Sequence, residues 1–297
     1  AEDVTGSPVN ATVSKEDGKT IIPGKSGVQF DVEKAKEIIG DGSQASYSIP
    51  VTITQPTITE AVLRERLFRD TLARTATNLN EGNAPRTNNV RLAAKAINGT
   101  ILNPGDVFSY NTVVGERTQA RGYQEAHAYS GGKIIDEFGG GVCQPSSTLY
   151  MAVLRADLEV VERHNHSFTV SYTPLGEDAT VDYGNLDFRF ANNTAYPIKI
   201  LAEQTDGQMI MTIVGTKTSD KTVATRTEVL ETYKPETVEK QDSSLAAGET
   251  QVETSGITGY STRTYKVITE NGKTTEVLAN KSTYSKRDEV VCVGTGS

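Results

Sequence analysis

Three consecutive glycines, Gly139-Gly140-Gly141, run into Val142-Cys143-Gln144-Pro145 and then into a helix-like segment from Ser146 to Leu158. Glycine has the most conformational freedom to lose, so a triplet of them does not belong inside a helix or a strand. It marks a tight turn that feeds a helix. The Cys143 thiol then lies near the positive end of the helix macrodipole, where the thiolate is favoured. The glycines let the backbone approach a substrate and free N–H groups for a developing oxyanion. Cys143 is therefore a candidate nucleophile, and Gly140, Gly141 and Gln144 are candidate substrate contacts. A Gly-rich turn also precedes helices for steric reasons alone, so a structural role stays open at this point.

The rest of the composition narrows the classes. Among 297 residues there is no Trp, and the formal net charge is −8. No polybasic stretch is present, which argues against a nucleic-acid groove. No apolar run approaches the roughly 18 residues needed to cross a membrane. The chain starts at Ala-Glu-Asp without a Met or a signal-like segment, as expected of a cytosolic fragment or, preferred here, of the trimmed ectodomain of a longer precursor. Two cysteines, Cys143 and Cys292, do not make a disulfide framework, although they could pair in an oxidising compartment. Cys292 sits in the apolar run Val290 to Val293 and reads as a small buried hydrophobe.

Along the chain, residues 1–56 read as part of a small α+β module. Asp31 caps a helix with Val32, Ala35, Ile38 and Ile39 on one face, and Tyr47 to Thr54 alternates like a strand. Residues 57–84 are polar and read as a connector, either exposed or docked on the next domain. Apolar residues at Val90, Ala93, Ala94 and Ile97 predict a helix capped by Asn89. After the cysteine helix the period changes. Short strands are expected at 158–162, 167–172, 179–183, 187–190, 198–203 and 209–214, forming an antiparallel sheet or open barrel. A Thr/Lys/Ser linker leads to a separate β unit over 222–297, with a hairpin turn at Asn271-Gly272. That unit has no His and offers only Cys292 as a nucleophile, which points to binding, spacing or folding assistance.

A thiolate nucleophile needs a base and usually an orienter. The histidines are His127, His164 and His166. If residues 164–166 are extended, both flanking rings share a face. His166 is preferred as base and His164 is the alternative. Asp178, Asp182 and Asp187 lie downstream. An antiparallel pairing about the Pro174–Glu177 turn sets position 166 opposite roughly 184, which favours Asp182 or Asp187 and places Asp178 too near the turn. His164-x-His166 with Cys143 or an Asp could hold zinc, but no third ligand has a telling spacing, so no metal or cofactor is expected. Arg155, Arg163, Arg117 and Arg121 could grip a substrate carboxylate. Tyr123, Tyr150 and Phe168 are candidates to line a cleft or fill the core.

The same residues carry a family resemblance. Phe108-Ser109-Tyr110-Asn111, Val114-Gly115-Glu116-Arg117-Thr118, Arg121-Gly122-Tyr123 and Gly139 to Gln144 with Ser146 to Tyr150 resemble a VanW domain over residues 85–215. Glu162-Arg163, His166-Ser167, Gly176, Asp178 to Val181, Asp187 and Asn192 continue the match in order. Gly248, Gly256, Gly259, Gly272 and Gly294 give residues 222–294 the look of a G-five domain. Residues 1–56 are similar to part of a peptidoglycan-binding domain that often precedes VanW domains. The resemblance implies a cell-envelope protein of a Gram-positive type bacterium, extracellular and associated with the wall. It also implies an L,D-transpeptidase in which Cys143 attacks the third stem residue, terminal D-alanine leaves, and a neighbouring amine resolves the thioester into a 3–3 cross-link. On the family pattern Asp187 outranks Asp182, so Cys143, His166 and Asp187 are the expected catalytic set. Arg163, Arg117, Arg121, Tyr123, Gly140, Gly141 and Gln144 are the expected substrate contacts.

The expected fold is α+β: a nucleophile-bearing helix packed on an antiparallel sheet, then an elongated all-β module. Peptidoglycan stems and glycan strands are the expected partners. Two other readings stay open: a non-catalytic wall-binding protein, and a cell-wall cysteine endopeptidase or carboxypeptidase.

Overall fold

The computed structural model describes residues 6–130 and 133–296. Five helices are described: α1 (Val32–Ile39), α2 (Glu60–Arg66), α3 (Ala84–Ile97), α4 (Tyr110–Val114) and α5 (Cys143–Arg155). They combine with several antiparallel sheets into a mixed α+β fold.

The central sheet orders its strands as Asp70–Asn78, Gln208–Gly215, Ile198–Thr205 and Ile101–Leu102. Period-2 alternation sends Ala73, Thr75 and Thr77 inward from the first strand. Met209, Met211 and Ile213 join them from the second, and Ile198, Ile200 and Ala202 from the third. Helix α5 packs on the first two strands and α3 on the third. From Gln144 to Leu154 every residue of α5 is buried. A helix buried on all sides must be covered on all sides, and here strand Thr222–Tyr233 of the C-terminal region lies against α5 opposite the central sheet. A second sheet pairs Val107–Ser109, Arg189–Ala191 and Glu159–Glu162.

Several expectations change. Residues 57–84 take the docked alternative: they form α2 and a strand that pairs along its length with Gln208–Gly215. The N-terminal region does not stand alone, because its buried Ala11 and Val13 share a cluster with Ile58, Leu63, Ile101 and Tyr196. Its expected strand over 47–54 shortens to Thr52–Thr54. Residues 167–186 hold no regular strand, only the isolated bridges His164↔Thr180 and Asp182↔Leu186. Side-chain bonds supply the order there: Ser147 Oγ accepts from the Ala179 amide at 3.0 Å and so ties this segment to α5.

The C-terminal region has two three-stranded sheets. One orders Thr222–Tyr233, Gly259–Glu270 and Lys273–Tyr284; the other orders Thr237–Ala246, Glu289–Gly296 and Thr250–Thr254. Asn271 and Gly272 both take positive φ, 51° and 73°, as a two-residue hairpin turn requires. The hairpin arms run longer than the sequence suggested, 259–270 and 273–284. The first sheet buries a polar row, Thr262, Thr264, Ser282 and Tyr284. This row meets the central domain, so the C-terminal region packs against it. Asn280 Nδ2 donates to Tyr150 Oη and to the Gly176 carbonyl, both at 2.8 Å. Gly176, at φ 77°, comes so close to Thr264 that a Cβ would lie 1.9 Å from its hydroxyl oxygen.

Candidate active site

Cys143 is the first residue of α5. The glycine turn before it is tight. Gly139 and Gly141 take φ of 87° and 103°, and a Cβ on Gly140 would sit 2.3 Å from the Ala126 carbonyl oxygen. Cys143 as a whole residue is half-buried. Its sulfur lies 3.5 Å from Thr180 Oγ1 and from the Val181 carbonyl oxygen.

His166 and this sulfur are coupled electrostatically, each favouring the charged form of the other. The His166 Nδ1 is taken by Asp178 Oδ2 at 2.7 Å, which leaves Nε2 for the thiol. The Tyr172 hydroxyl lies 3.3 Å from that same Nε2. Asp178 Oδ2 also accepts the His166 backbone amide at 2.7 Å. Its other oxygen accepts from Arg163 Nη2 at 2.9 Å and from the Tyr284 hydroxyl. The Asp178 side chain is 1% exposed and that of Arg163 is 5%.

The electrostatics follow from this chain of contacts. Burial opposes charge on the Cys143 sulfur, but the hydrogen bond and charge of His166 outweigh it and bring the thiol below its usual value. Burial likewise opposes a charged His166, yet Asp178 and the sulfur lift it to about 9. Burial would raise Asp178, while His166 and Arg163 hold it below the ordinary carboxylate range. The three groups titrate as one coupled set, in which each favours the charged form of its neighbour.

Residues 85–214 match the family model described as VanW like protein, and residues 224–296 match the G5 domain. The Bacillus subtilis protein YoaR is 37% identical over 210 residues, spanning 69% of this chain and 68% of that one. The chain belongs to the VanW-like family. The vancomycin B-type resistance protein VanW of Enterococcus faecalis is 30% identical over 127 residues, 41% of this chain and 46% of that relative. This chain thus spans less than half of VanW's length. Among solved structures, the G5 domain of IgA1 protease shares 17% identity over 27% of this chain and 98% of its own, at a TM-score of 0.20. The HP0197 G5 domain shares 19% over 26% and 100%, at 0.17.

Cys143, His166 and Asp178 all lie in the VanW-like domain, while Tyr284 and Ser282 reach the site from the G5 domain. The geometry corrects the expected orienter. Position 164 bridges to 180, so 166 faces 178 and not 184, and Asp178 is the carboxylate on the ring. Asp187 instead accepts from Ser109 Oγ at 2.5 Å and from the Asn111 and Phe188 amides at 2.9 and 2.8 Å. It anchors the start of α4, away from His166. Asp182 is exposed and accepts from Asn185. His164 turns away to Glu162, 3.1 Å from Oε1, because residues 164–166 are not a regular strand. Among the described residues no group of three or more His, Cys, Asp or Glu could hold a metal ion. Both cysteines are free thiols.

The arginines expected at substrate divide. Arg163 is spent on the orienter: Nε donates to the Asp178 carbonyl at 2.7 Å and Nη1 to Ser282 Oγ at 2.8 Å. Arg155 pairs with Glu177 at 2.8 Å. Arg121 donates to the Glu116 carbonyl. Arg117 buries all three guanidinium nitrogens without a hydrogen-bond partner, 5.6 and 5.7 Å from the Tyr110 and Tyr183 ring centroids. Tyr123 is buried in the core. Gln144 is buried too, its Nε2 donating to Thr77 Oγ1 and the Asn78 carbonyl at 2.9 and 2.8 Å. Sequence reasoning passed over Thr180, Tyr172, Tyr284 and Arg86. Asp178 was in view but set aside by the assumed register.

Proposed function

We propose that this protein is a cysteine-dependent L,D-transpeptidase of peptidoglycan. The observation that carries the reading is the Cys143–His166–Asp178 relay at the start of a buried helix, with Cys143 itself half-buried. A lowered thiol paired with a raised imidazole is the form a thiol acyltransferase needs at rest.

The thiolate attacks the carbonyl carbon of the third stem residue, and a C–S bond forms. The Cys143 amide, at the first position of α5, has no intrahelical acceptor and receives the developing oxyanion. The C–N bond to terminal D-alanine then breaks, and its nitrogen takes the proton of the His166 imidazolium. The neutral ring next removes a proton from the side-chain amine of a second stem. That amine attacks the thioester, a 3–3 amide forms, and the thiolate is regenerated. Water in place of the amine gives the carboxypeptidase product. Peptidoglycan as substrate places the protein in the cell envelope. A relative named for vancomycin resistance supports that setting.

The test is intact-mass spectrometry after incubation with a disaccharide-tetrapeptide, beside Cys143→Ala. A mass gain of substrate minus D-alanine, absent in the variant, is expected. Folded protein with a reduced thiol, no adduct and no dimeric muropeptide would overturn the reading in favour of a wall-binding protein.

A further inference from the structure

The glycine turn beside the nucleophile is shaped around two arginine stems. A Cβ on Gly141 would lie 2.7 Å from Arg86 Cγ and 3.3 Å from its Nε; one on Gly139 would lie 2.6 Å from Arg117 Cβ. The glycines thus bring cationic side chains against the peptide that leads into Cys143. Arg86 is the better placed for a ligand, because its side chain is partly exposed whereas the Arg117 nitrogens are sealed.

Arg86 is also held. Its backbone amide donates to Asn83, the cap of α3, at 3.1 Å. Its Nη2 donates to Gln144 Oε1 at 2.7 Å, and Gln144 is itself fixed to Thr77 and Asn78. Gln144 follows the nucleophile in the chain, so Arg86 and Cys143 are positioned by one rigid turn. Among the described residues no carboxylate pairs with Arg86. Burial works against its charge, and the groups that offset this are the Tyr172 hydroxyl and the Cys143 thiol. A fixed guanidinium with open donors and no acid partner is built for an anion that arrives from outside.

We infer that Arg86, clamped by Gln144, is an anion subsite beside Cys143 that takes the free carboxylate of the substrate's leaving residue. The identity of that carboxylate rests on the transpeptidase reading; the anion subsite does not. It would make the donor a stem that ends at the residue to be released.

The first experiment needs no peptide. Cys143 is alkylated with iodoacetate, an anion, and with iodoacetamide, its neutral counterpart, in the whole chain and in Arg86→Met and Arg86→Lys. Glutathione supplies the ratio of a free thiol. The ratio of the two rates cancels any effect of Arg86 on the thiolate itself. Expected is a ratio in the native chain well above that of glutathione, falling about tenfold in Arg86→Met and partly kept in Arg86→Lys. A ratio unchanged in Arg86→Met would overturn the subsite.

The second arm compares acyl-enzyme formation from a tetrapeptide stem ending in D-alanine with one ending in D-alaninamide, which yield the same adduct. Preference for the acid, lost in Arg86→Met, supports the assignment. Equal acylation by both peptides would leave the transpeptidase reading standing and remove the carboxylate role. An elevated iodoacetate ratio with no acylation by either would keep the anion subsite and remove the transpeptidase.

Discussion

Both oxygens of Asp178 are saturated, one by the ring and amide of His166 and the other by Arg163 and Tyr284. This makes Asp178 and Asp187 separable by experiment. Asp178 helps to raise His166 to about 9, so the imidazolium that the proposed mechanism uses to protonate the leaving amine is lost as pH climbs through that value. The alkaline limb of kcat/KM should therefore fall near pH 9. Asp178→Asn removes a raising influence, so the limb should move acidward; Asp187→Asn should leave it in place and lower thermal stability through the lost α4 anchor. A pH–rate profile of the two variants decides between them. Gly140→Ala should cost roughly 1–3 kcal/mol in urea unfolding, since its Cβ meets backbone and not a side chain that can swing away. Cys143 and His166 were legible as residue types in a pattern: a thiol after glycines and a ring downstream. Asp178 was not, because choosing among three aspartates needed the pairing register, and alternation in 167–183 suggested a hairpin that side-chain bonds replace.

At the scale of elements, the strand Asp70–Asn78 shows why polar sequence can hide core. Its inward residues are Ala73, Thr75 and Thr77, which carry little hydrophobic signal. They are small because α5 lies close, with Thr75 Oγ1 donating to the Thr148 carbonyl and Thr77 Oγ1 bonded to Thr148 Oγ1, both at 2.8 Å. Helix α3 was legible from apolar spacing, but its start was not: it begins at Ala84 under Asn83, and the expected cap Asn89 lies buried inside it; the Asn271-Gly272 turn was legible from two residues that tolerate positive φ. The linkage from Thr77 through Gln144 to Arg86 was not, since it crosses three elements. Thr77→Val, similar in shape, deletes the acceptor for Gln144 Nε2. It should cost about 1–3 kcal/mol in denaturant unfolding and loosen the seat of Arg86. A stability loss near zero would show that Asn78 alone satisfies Gln144.

For the molecule as a whole, the G5 domain meets the VanW-like domain through hydrogen bonds. Tyr284 and Ser282 reach Asp178 and Arg163, and Asn280 reaches Tyr150. Sequence gave no hint of this, because Tyr and Ser in a Thr-rich β module look like ordinary strand residues. Tyr284→Phe keeps the ring and deletes the bond. Asp178 then loses a donor, and the pH dependence of Cys143 labelling by iodoacetamide should shift while the unfolding midpoint falls modestly. An unshifted labelling profile would assign Tyr284 to domain docking alone.

The strand that carries Tyr284 is made long after the nucleophile. Cys143 and His166 precede in the chain the hairpin whose second arm, Lys273–Tyr284, closes over Asp178. A chain that stops short of the second hairpin arm lacks the Tyr284 donor to Asp178, so its Cys143 should show the same altered labelling profile as Tyr284→Phe.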